Sequence, residues 1–393
     1  MTGLARTLLS ISSTGDRVIQ TLLEHQTSWE VGRGTELVSV VQLSLQLLHS
    51  LITADHVSAA QLMSGPVGQA VRSPPAGARS HYLLTLAHYT YFHHRPELAT
   101  AAIKLLAAIA GDSEQVSVLA CLGSAAPAVR DQLLARLESS TEDIRLKMGI
   151  IELLVSTVES QPGMLQLLMD LNDAGDQDSG VLTPVLRLLS HCLTETGDTW
   201  SQLHLTIITL IHCLWSRGRL LVTEHLKKQK NFWTDLAKPL TNSNSNNDSI
   251  RMMKIKAFIL RIISHELYTW AGKMTPELQV IISKICDDKT GALEHWCSVD
   301  NDDAVDKTLT NVSVDDEDDN KNVPLFLLSS WRTFILVLSR DSPSSLSPSS
   351  CRTLFSSTTN TLSTILLTSA PSPPPRLTVL LAETALVMAR YVK

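Results

Sequence analysis

The sequence predicts an all-α protein built from helices that are joined by short corners. Leucine is abundant while aromatic residues make up only 5% of the chain, a balance that favours packed helices over sheets. Apolar residues recur every third or fourth position in one segment after another, and no stretch alternates convincingly as a half-buried strand does. Most of these segments are separated by short links that carry Gly, Pro, Asn or Asp.

Helices are predicted along most of the chain, in pairs that lie roughly 35 to 50 residues apart, the scale of HEAT and armadillo units. The predicted fold class is therefore an α-solenoid of HEAT/armadillo-like helical repeats. A pair of compact helical domains is the alternative, but no Gly/Ser-rich linker divides the chain. The predicted helices lie near 3–12, 16–27, 35–52, 78–94, 97–110, 113–122, 126–138, 141–159, 163–171, 181–195, 199–216, 219–228, 230–238, 249–271, 276–296, 325–340, 351–369 and 376–392.

The segment 141–159 shows the helical period most clearly. Its apolar front is broad enough to be covered by more than one neighbouring helix. Ser140 precedes this helix and Asp143 follows three positions later, which predicts a capping box at its start. The apolar front consists of Ile144, Leu146, Met148, Ile150, Ile151, Leu153, Leu154, Val155 and Val158.

The stretch 120–137, ACLGSAAPAVRDQLLARL, is either a phosphate-binding loop or a corner between two helices. A phosphate loop requires several glycines, a lysine and a preceding strand, whereas this stretch has one glycine and no lysine. Gly123 suits the position just past a helix end, Ser124 is predicted to cap the next helix, and Pro127 fits its first turn. The stretch is therefore interpreted as a corner.

Polar segments divide the predicted array into three parts. Short tracts at 241–249, 340–350 and 369–376 have little apolar content to offset the entropy of ordering. The Ser-Pro pairs in 340–350 are phosphate-acceptor candidates or chance features of a loop. The predicted parts are α-solenoid repeats over 1–297, an acidic disordered loop over 298–324, and C-terminal helical repeats with Ser/Pro-rich loops over 325–393.

Charge and hydropathy exclude two classes of partner. A net charge of −6 and a pI near 6.1 make the chain a poor candidate for binding nucleic acid through phosphates. No run reaches the roughly 18 uncharged apolar residues of a membrane span, and the richest stretch, 203–215, is interpreted as a buried core helix. The N-terminus is interpreted as a helix rather than a signal peptide.

The sequence carries no recognisable catalytic or metal-binding motif, so no catalytic, cofactor or metal residue is predicted and the chain is predicted not to be an enzyme. Six scattered cysteines without a C-x-x-C pair are typical of reduced thiols. The adjacent pairs His191–Cys192 and His212–Cys213 point about 100° apart on a helix, which favours core cysteines beside surface histidines over zinc ligands. A helical hydrolase whose site assembles in space is the remaining enzymatic alternative.

Tryptophans occur along nearly the whole chain. Most are expected to pack between helices, and some to line grooves that accept partner helices or Phe-rich peptides. The residues are Trp29, Trp200, Trp215, Trp233, Trp270, Trp296 and Trp331.

Several long strings resemble the vertebrate nucleoporin 188 family, large inner-ring scaffold nucleoporins of the nuclear pore complex. The main one is VLACLGSAAPAVRDQLLARLESSTEDIRLKMGIIELLVSTVESQPGMLQLLMDLN at 118–172. LLEHQTSWE, LKKQKNFWTDLAKPL at 226–240 and IKAFILRIISHELYTWAGKM at 255–274 are similar too, so the resemblance covers most of 1–300.

The resemblance implies a non-enzymatic structural component of the inner ring, located in the nucleus at the nuclear envelope and supporting nucleocytoplasmic transport. The implied partners are other nucleoporins, namely a linker nucleoporin of the inner ring, and Phe-Gly repeat nucleoporins or transport receptors. The family is several times longer, and its N-terminal solenoid and SH3-like insertion have no counterpart in this sequence, which implies a middle-to-C-terminal segment or a truncated gene model. No partner-binding residue carries over from it. A soluble HEAT-type transport carrier or adaptor is the alternative function.

Overall fold

The computed structural model describes residues 33–54, 82–93, 95–112, 117–169, 180–241, 249–269, 274–287 and 323–340, with single positions at 356 and 382. Every regular element within these ranges is an α-helix, apart from one short 3-10 helix. The chain divides into two compact units, 1–187 and 188–393, each with its own internal packing. The boundary falls inside helix α8, Leu182–Cys192.

The first unit is a two-layer stack of helices. Its elements are α1 Arg33–Thr53, α2 Tyr82–Tyr89, α3 Pro96–Asp112, α4 Val118–Leu122, the 3-10 helix Gly123–Ala125, α5 Ala126–Glu138, α6 Ile144–Ser160 and α7 Pro162–Met169. Helices α1, α3 and α6 pack side by side in one layer, and the shorter helices α2, α4, α5 and α7 form the second layer. This alternation is the packing of helical hairpins in a repeat array.

The second unit repeats this arrangement. Its elements after α8 are α9 Asp198–Ser216, α10 Leu220–Lys228, α11 Phe232–Thr241, α12 Ile250–Thr269, α13 Pro276–Asp287 and α14 Val323–Arg340. Helices α9, α12 and α14 form one layer in which α12 lies between the other two, and α10, α11 and α13 form the second layer.

These two stacks confirm the predicted all-α class and its helical-repeat architecture. The helices predicted near 3–12, 16–27, 351–369 and 376–392 lie almost wholly outside the described residues. So does the acidic loop predicted over 298–324, except that α14 already begins at Val323. The predicted three-part division of the chain stays a prediction.

The corner at 123–127 has the predicted role, but one of its predicted caps is wrong. Gly123 has the left-handed φ of 53° that suits a glycine, and Pro127 lies in the first turn of α5. Ser124 does not cap α5, because the 3-10 helix Gly123–Ala125 continues into Ala126 and the cap position is taken by Ala125. A tight turn that leads directly into the helix leaves no place for a side-chain cap.

The predicted capping box of α6 is wrong as well. Asp143 itself is the cap, and its carboxylate accepts a hydrogen bond of 2.8 Å from the backbone N–H of Arg145. Ser140 lies outside the helix and is exposed. Aspartate caps a helix as well as serine does and also complements the positive end of the helix dipole, so the helix begins three residues later than a serine cap would place it.

Helices α3 and α6 pack closely and run in the same direction. Gly149 faces Ile103 near the middle of both helices, and Ser160 Oγ donates a hydrogen bond to the carbonyl of Ala110 near their ends. Alanines Ala99, Ala102 and Ala110 of α3 are fully buried. Small side chains let two helices approach more closely than leucines would.

We expect substitutions of Gly149 to differ sharply with size. A Cβ atom at this position would lie 3.4 Å from Ile103 Cγ2, an ordinary contact, so Gly149→Ala is expected to be neutral or to stabilise by up to about 1 kcal/mol through helix propensity. Gly149→Leu is expected to overpack the α3–α6 interface at a cost of about 1–3 kcal/mol. Urea denaturation of the full chain measures both, and equal stabilities of the two variants would contradict this packing.

Candidate partner-binding surface

The described residues hold no group of three or more His, Cys, Asp or Glu side chains that could bind a metal ion. Cys192 and Cys213 are buried and His191 is exposed, as predicted. Burial raises the pKa of Cys192 to about 12, so its thiol stays protonated and unreactive near neutral pH. His212 is half-buried rather than on the surface, and it packs against an aromatic ring.

One stripe of α12 remains partly open between α9 and α14. Its members are spaced three and four residues apart, which places them on one face of the helix. They are only half-buried, whereas the residues on the opposite side of α12 are in the core. The stripe consists of Arg251, Lys254, Phe258, Arg261 and His265. Together with His212 of α9 and Phe326 of α14, we name it the basic–aromatic surface.

An aromatic row crosses the three helices in the middle of this surface. The ring centroids of His212 and Phe258 are 4.9 Å apart, and those of Phe258 and Phe326 are 5.2 Å apart at an angle of 70°. Edge-to-face contacts of this kind add to the burial energy of the rings. The row ties α9, α12 and α14 together, and its three residues are only half-buried.

Arg261 provides a positive charge beside this row. Its guanidinium carbon lies 4.3 Å from the ring centroid of Phe326, and its Nε donates a hydrogen bond of 3.1 Å to Ser330 Oγ. Burial lowers the pKa of Arg261, but a guanidinium remains charged at physiological pH. A partly desolvated and fixed cation interacts more strongly with an incoming anion than a mobile one in water does.

Acidic side chains are nearly absent from the same layer. The sequences of α9, α12 and α14 contain two carboxylates, Asp198 and Glu266. Asp198 forms an ion pair with Arg251, and Glu266 binds Lys227 at 2.7 Å and the indole N–H of Trp215 at 3.1 Å. Lys254 and Arg261 therefore give the middle of the surface a net positive charge.

His212 does not add to that charge at neutral pH. Burial lowers the pKa of His212 to about 4, with smaller contributions from the nearby side chains of Arg261 and His265. The ring of His212 is therefore neutral and acts as an aromatic side chain. The positive charge of the basic–aromatic surface is carried by lysine and arginine.

A second histidine of α9 makes the stability of the protein depend on pH. His204 is 3% exposed, and burial lowers its pKa from 6.5 to about 4. The unfolded chain therefore binds a proton that the folded protein excludes, so its contribution to stability is complete above pH 6.5 and is lost as the pH falls towards 4. From the 1.36 kcal/mol that corresponds to one pKa unit, we expect a loss of about 3 kcal/mol for this residue.

The variant His204→Leu should remove this part of the pH dependence. Urea denaturation of both proteins at pH 7.5, 6, 5 and 4.5 is the measurement. We expect the free energy of unfolding of the variant to fall less steeply below pH 6.5 than that of the unmodified chain. The same slope in both proteins would show that His204 is not a buried neutral histidine.

Three of the four tryptophans within the described ranges are in the core, as expected for most of them. Trp215, Trp233 and Trp331 are buried, and Trp200 is half-buried. Trp29, Trp270 and Trp296 lie outside the described residues. That some tryptophans line partner-binding grooves stays a prediction, and the phenylalanine rings on the basic–aromatic surface are Phe258 and Phe326.

The described helices include none with both the length and the uninterrupted apolar character needed to cross a lipid bilayer. The stretch 203–215, which has the most apolar composition, lies within α9 and is largely buried in the second unit.

Comparison with known proteins identifies relatives over most of the chain. Residues 3–172 match the family described as nucleoporin Nup188, N-terminal subdomain III. The chain is 29% identical over 339 residues to nucleoporin NUP188 of Xenopus tropicalis, which covers 80% of this chain and 18% of that protein. It is 31% identical over 280 residues to nucleoporin NUP188 of Homo sapiens, covering 67% of this chain and 16% of that protein.

The similarity extends to an insect protein. Nucleoporin Nup188 of Drosophila melanogaster is 24% identical over 290 residues, which is 70% of this chain and 15% of that protein. The chain thus spans less than a fifth of the length of these curated relatives. For residues 3–172, the match to an N-terminal subdomain replaces the middle-to-C-terminal placement that the resemblance implied. The helical-repeat fold and these matches agree, and the chain is a segment of the nucleoporin Nup188 family.

Proposed function

We propose that this chain is a structural part of the nuclear pore complex, located at the nuclear envelope, where it supports nucleocytoplasmic transport as a scaffold of the inner ring. The observation that carries this proposal is the similarity to nucleoporin NUP188 over 80% of the chain. The proposed role is non-enzymatic and depends on contacts with other nucleoporins, including a linker nucleoporin of the inner ring.

The physical basis of this role is the repeat packing itself. In the second unit, α12 packs between α9 and α14, and the stripe of α12 that includes Lys254, Phe258 and Arg261 is only half-buried. Such an array supplies a long binding surface without needing a closed pocket. The buried core that supports this surface contains Leu and Ile from every long helix, so the surface is held in a fixed geometry.

The proposal is tested by purification of the protein, tagged at its own gene, from gently lysed nuclei. We expect other nucleoporins to be the most enriched proteins by quantitative mass spectrometry, and to remain bound after washes at about 300 mM salt, because scaffold contacts are largely apolar. The soluble carrier alternative predicts the opposite result. A mixture of transport cargoes without nucleoporins would support the carrier and contradict the scaffold.

A further inference from the structure

We propose that the basic–aromatic surface binds an acidic peptide segment that carries at least one aromatic or aliphatic side chain. This inference rests on the proposed function as a protein-binding scaffold and names the chemistry of one partner. It is drawn from the charges and rings on the half-buried stripe of α12.

Charge complementarity supports an acidic partner. Lys254 and Arg261 lie one turn to either side of Phe258. Of the two carboxylates of α9, α12 and α14, Asp198 is paired with Arg251 at one end of the surface, and Glu266 binds Lys227 and Trp215. A peptide carboxylate placed beside Phe258 is therefore near two cations, and the carboxylates of these three helices are already paired. Hydrogen bonds between charged groups are about twice as strong as those between neutral groups.

The aromatic row supports an apolar side chain next to that acid. Phe258 and Phe326 are only half-buried and pack against each other, and the guanidinium of Arg261 lies over the ring of Phe326. An apolar side chain that lies on this row removes ring surface from water. A peptide with an acidic side chain next to an apolar one therefore matches this part of α12, where the cations Lys254 and Arg261 flank the ring of Phe258.

The dimensions of the surface suit a short segment. Arg251 to His265 spans about 21 Å at the helical rise of 1.5 Å per residue, which corresponds to roughly six or seven residues of an extended peptide. A peptide is favoured over a nucleic acid because the whole chain has a net charge of −6, which repels a long polyanion but not a short segment.

The test begins with the selection of binders from a random library of peptides about twelve residues long on the immobilised full chain. We expect the selected peptides to be enriched in Asp and Glu next to Phe, Tyr, Trp or Leu. One of them, labelled with fluorescein, then gives dissociation constants by fluorescence anisotropy. We expect Lys254→Glu to weaken binding by about tenfold, the effect of losing one charge-assisted contact and adding a repulsive charge.

Matched variants separate binding from folding. Lys228→Glu makes the same charge change on α10, in the other layer, where Lys228 is exposed, and it should leave the affinity unchanged. Lys254→Arg keeps the charge and should retain binding. Phe258→Leu keeps the apolar volume of the row and should bind the aromatic peptide more weakly than the unmodified chain does. Circular dichroism verifies that each variant is folded.

Four outcomes would overturn the proposal. The first is the absence of acidic peptides from the selected pool, and the second is an equal loss of peptide affinity in the Lys254→Glu and Lys228→Glu variants. The third is tighter binding of a mixed-sequence single-stranded RNA than of the peptide. The fourth is stronger peptide binding when the acidic run 315–319 is neutralised. The last would assign the surface to the chain's own acidic run. Co-purification of nucleoporins does not depend on this peptide, so either proposal can fail without the other.

Discussion

Replacing Glu142 with alanine is expected to destabilise the first unit by about 3–5 kcal/mol, because it leaves buried cations without their counter-charge. The side chain of Arg136 is completely buried, and its Nη1 lies 3.4 Å from Glu142 Oε1 at the corner between α5 and α6. Lys147 is 6% exposed and donates a hydrogen bond of 2.6 Å to the carbonyl of Ser139 in the same corner.

Glu142 acts on both cations. Burial lowers the pKa of Lys147 and of Arg136, and in each case the attraction of Glu142 opposes that change. Without the carboxylate, the corner must unfold, admit water or release the protons of its cations. We therefore expect a large loss of stability from a residue that makes a single long ion pair.

Urea denaturation of the full chain measures this prediction, with two control variants. Glu138→Ala removes an exposed carboxylate from the end of α5, the helix that carries Arg136, and should change the stability by less than about 0.5 kcal/mol. In the double variant Arg136→Met/Glu142→Ala, the buried charge is replaced by an apolar chain of similar length, and part of the loss should be recovered. A cost below about 1 kcal/mol for Glu142→Ala would show that the pair does not compensate a buried charge.

Replacing Trp233 with alanine is expected to cost about 3–5 kcal/mol in the second unit, the usual cost of removing a fully buried large aromatic side chain. Trp233 is 1% exposed and contacts two other rings edge to face, with centroids 5.8 Å from Trp215 and 5.1 Å from Phe232. Trp215 and Phe232 are themselves stacked at 5.7 Å. Removing one ring therefore leaves a cavity lined by the other two.

The control for Trp233→Ala is Leu221→Ala. Leu221 lies in α10 with 79% of its surface exposed, so its truncation should change the free energy of unfolding by less than about 0.5 kcal/mol. Trp233→Phe keeps part of the side-chain volume, so its loss of stability should lie between those of Trp233→Ala and Leu221→Ala. Urea denaturation followed by far-ultraviolet circular dichroism gives all three values, and comparable stabilities of the Trp233→Ala and Leu221→Ala variants would contradict the packing around Trp233.

Helices were predictable from the sequence because their leucines, isoleucines and valines repeat at the helical period. Helix α5 has the predicted bounds of 126–138, and α9 begins at Asp198 instead of 199. The helix caps were predicted less well, since Ser140 and Asp143 compete for the same role and local propensity does not decide between them. The burial of Arg136 was also beyond prediction, because arginine is usually exposed and only the tertiary corner covers it.

The basic–aromatic surface illustrates a different limit. The spacing of Arg251, Lys254, Phe258, Arg261 and His265 is visible in the sequence and indicates one face of a helix. Whether that face lies in the core or in solvent depends on the positions of α9 and α14 on either side of α12, and α14 begins more than fifty residues after α12 ends. A contact between segments so far apart in the chain leaves no local signal.

The central claim, that this chain works as an immobile part of the nuclear pore scaffold, is tested most directly by photobleaching. The protein is tagged with a fluorophore at its own gene, and its exchange is followed in living cells after one part of the nuclear rim is bleached. We predict a punctate signal at the rim that recovers over hours, because a scaffold component is held by many contacts at once. A diffuse signal, or recovery within seconds, would contradict the scaffold and indicate a mobile carrier.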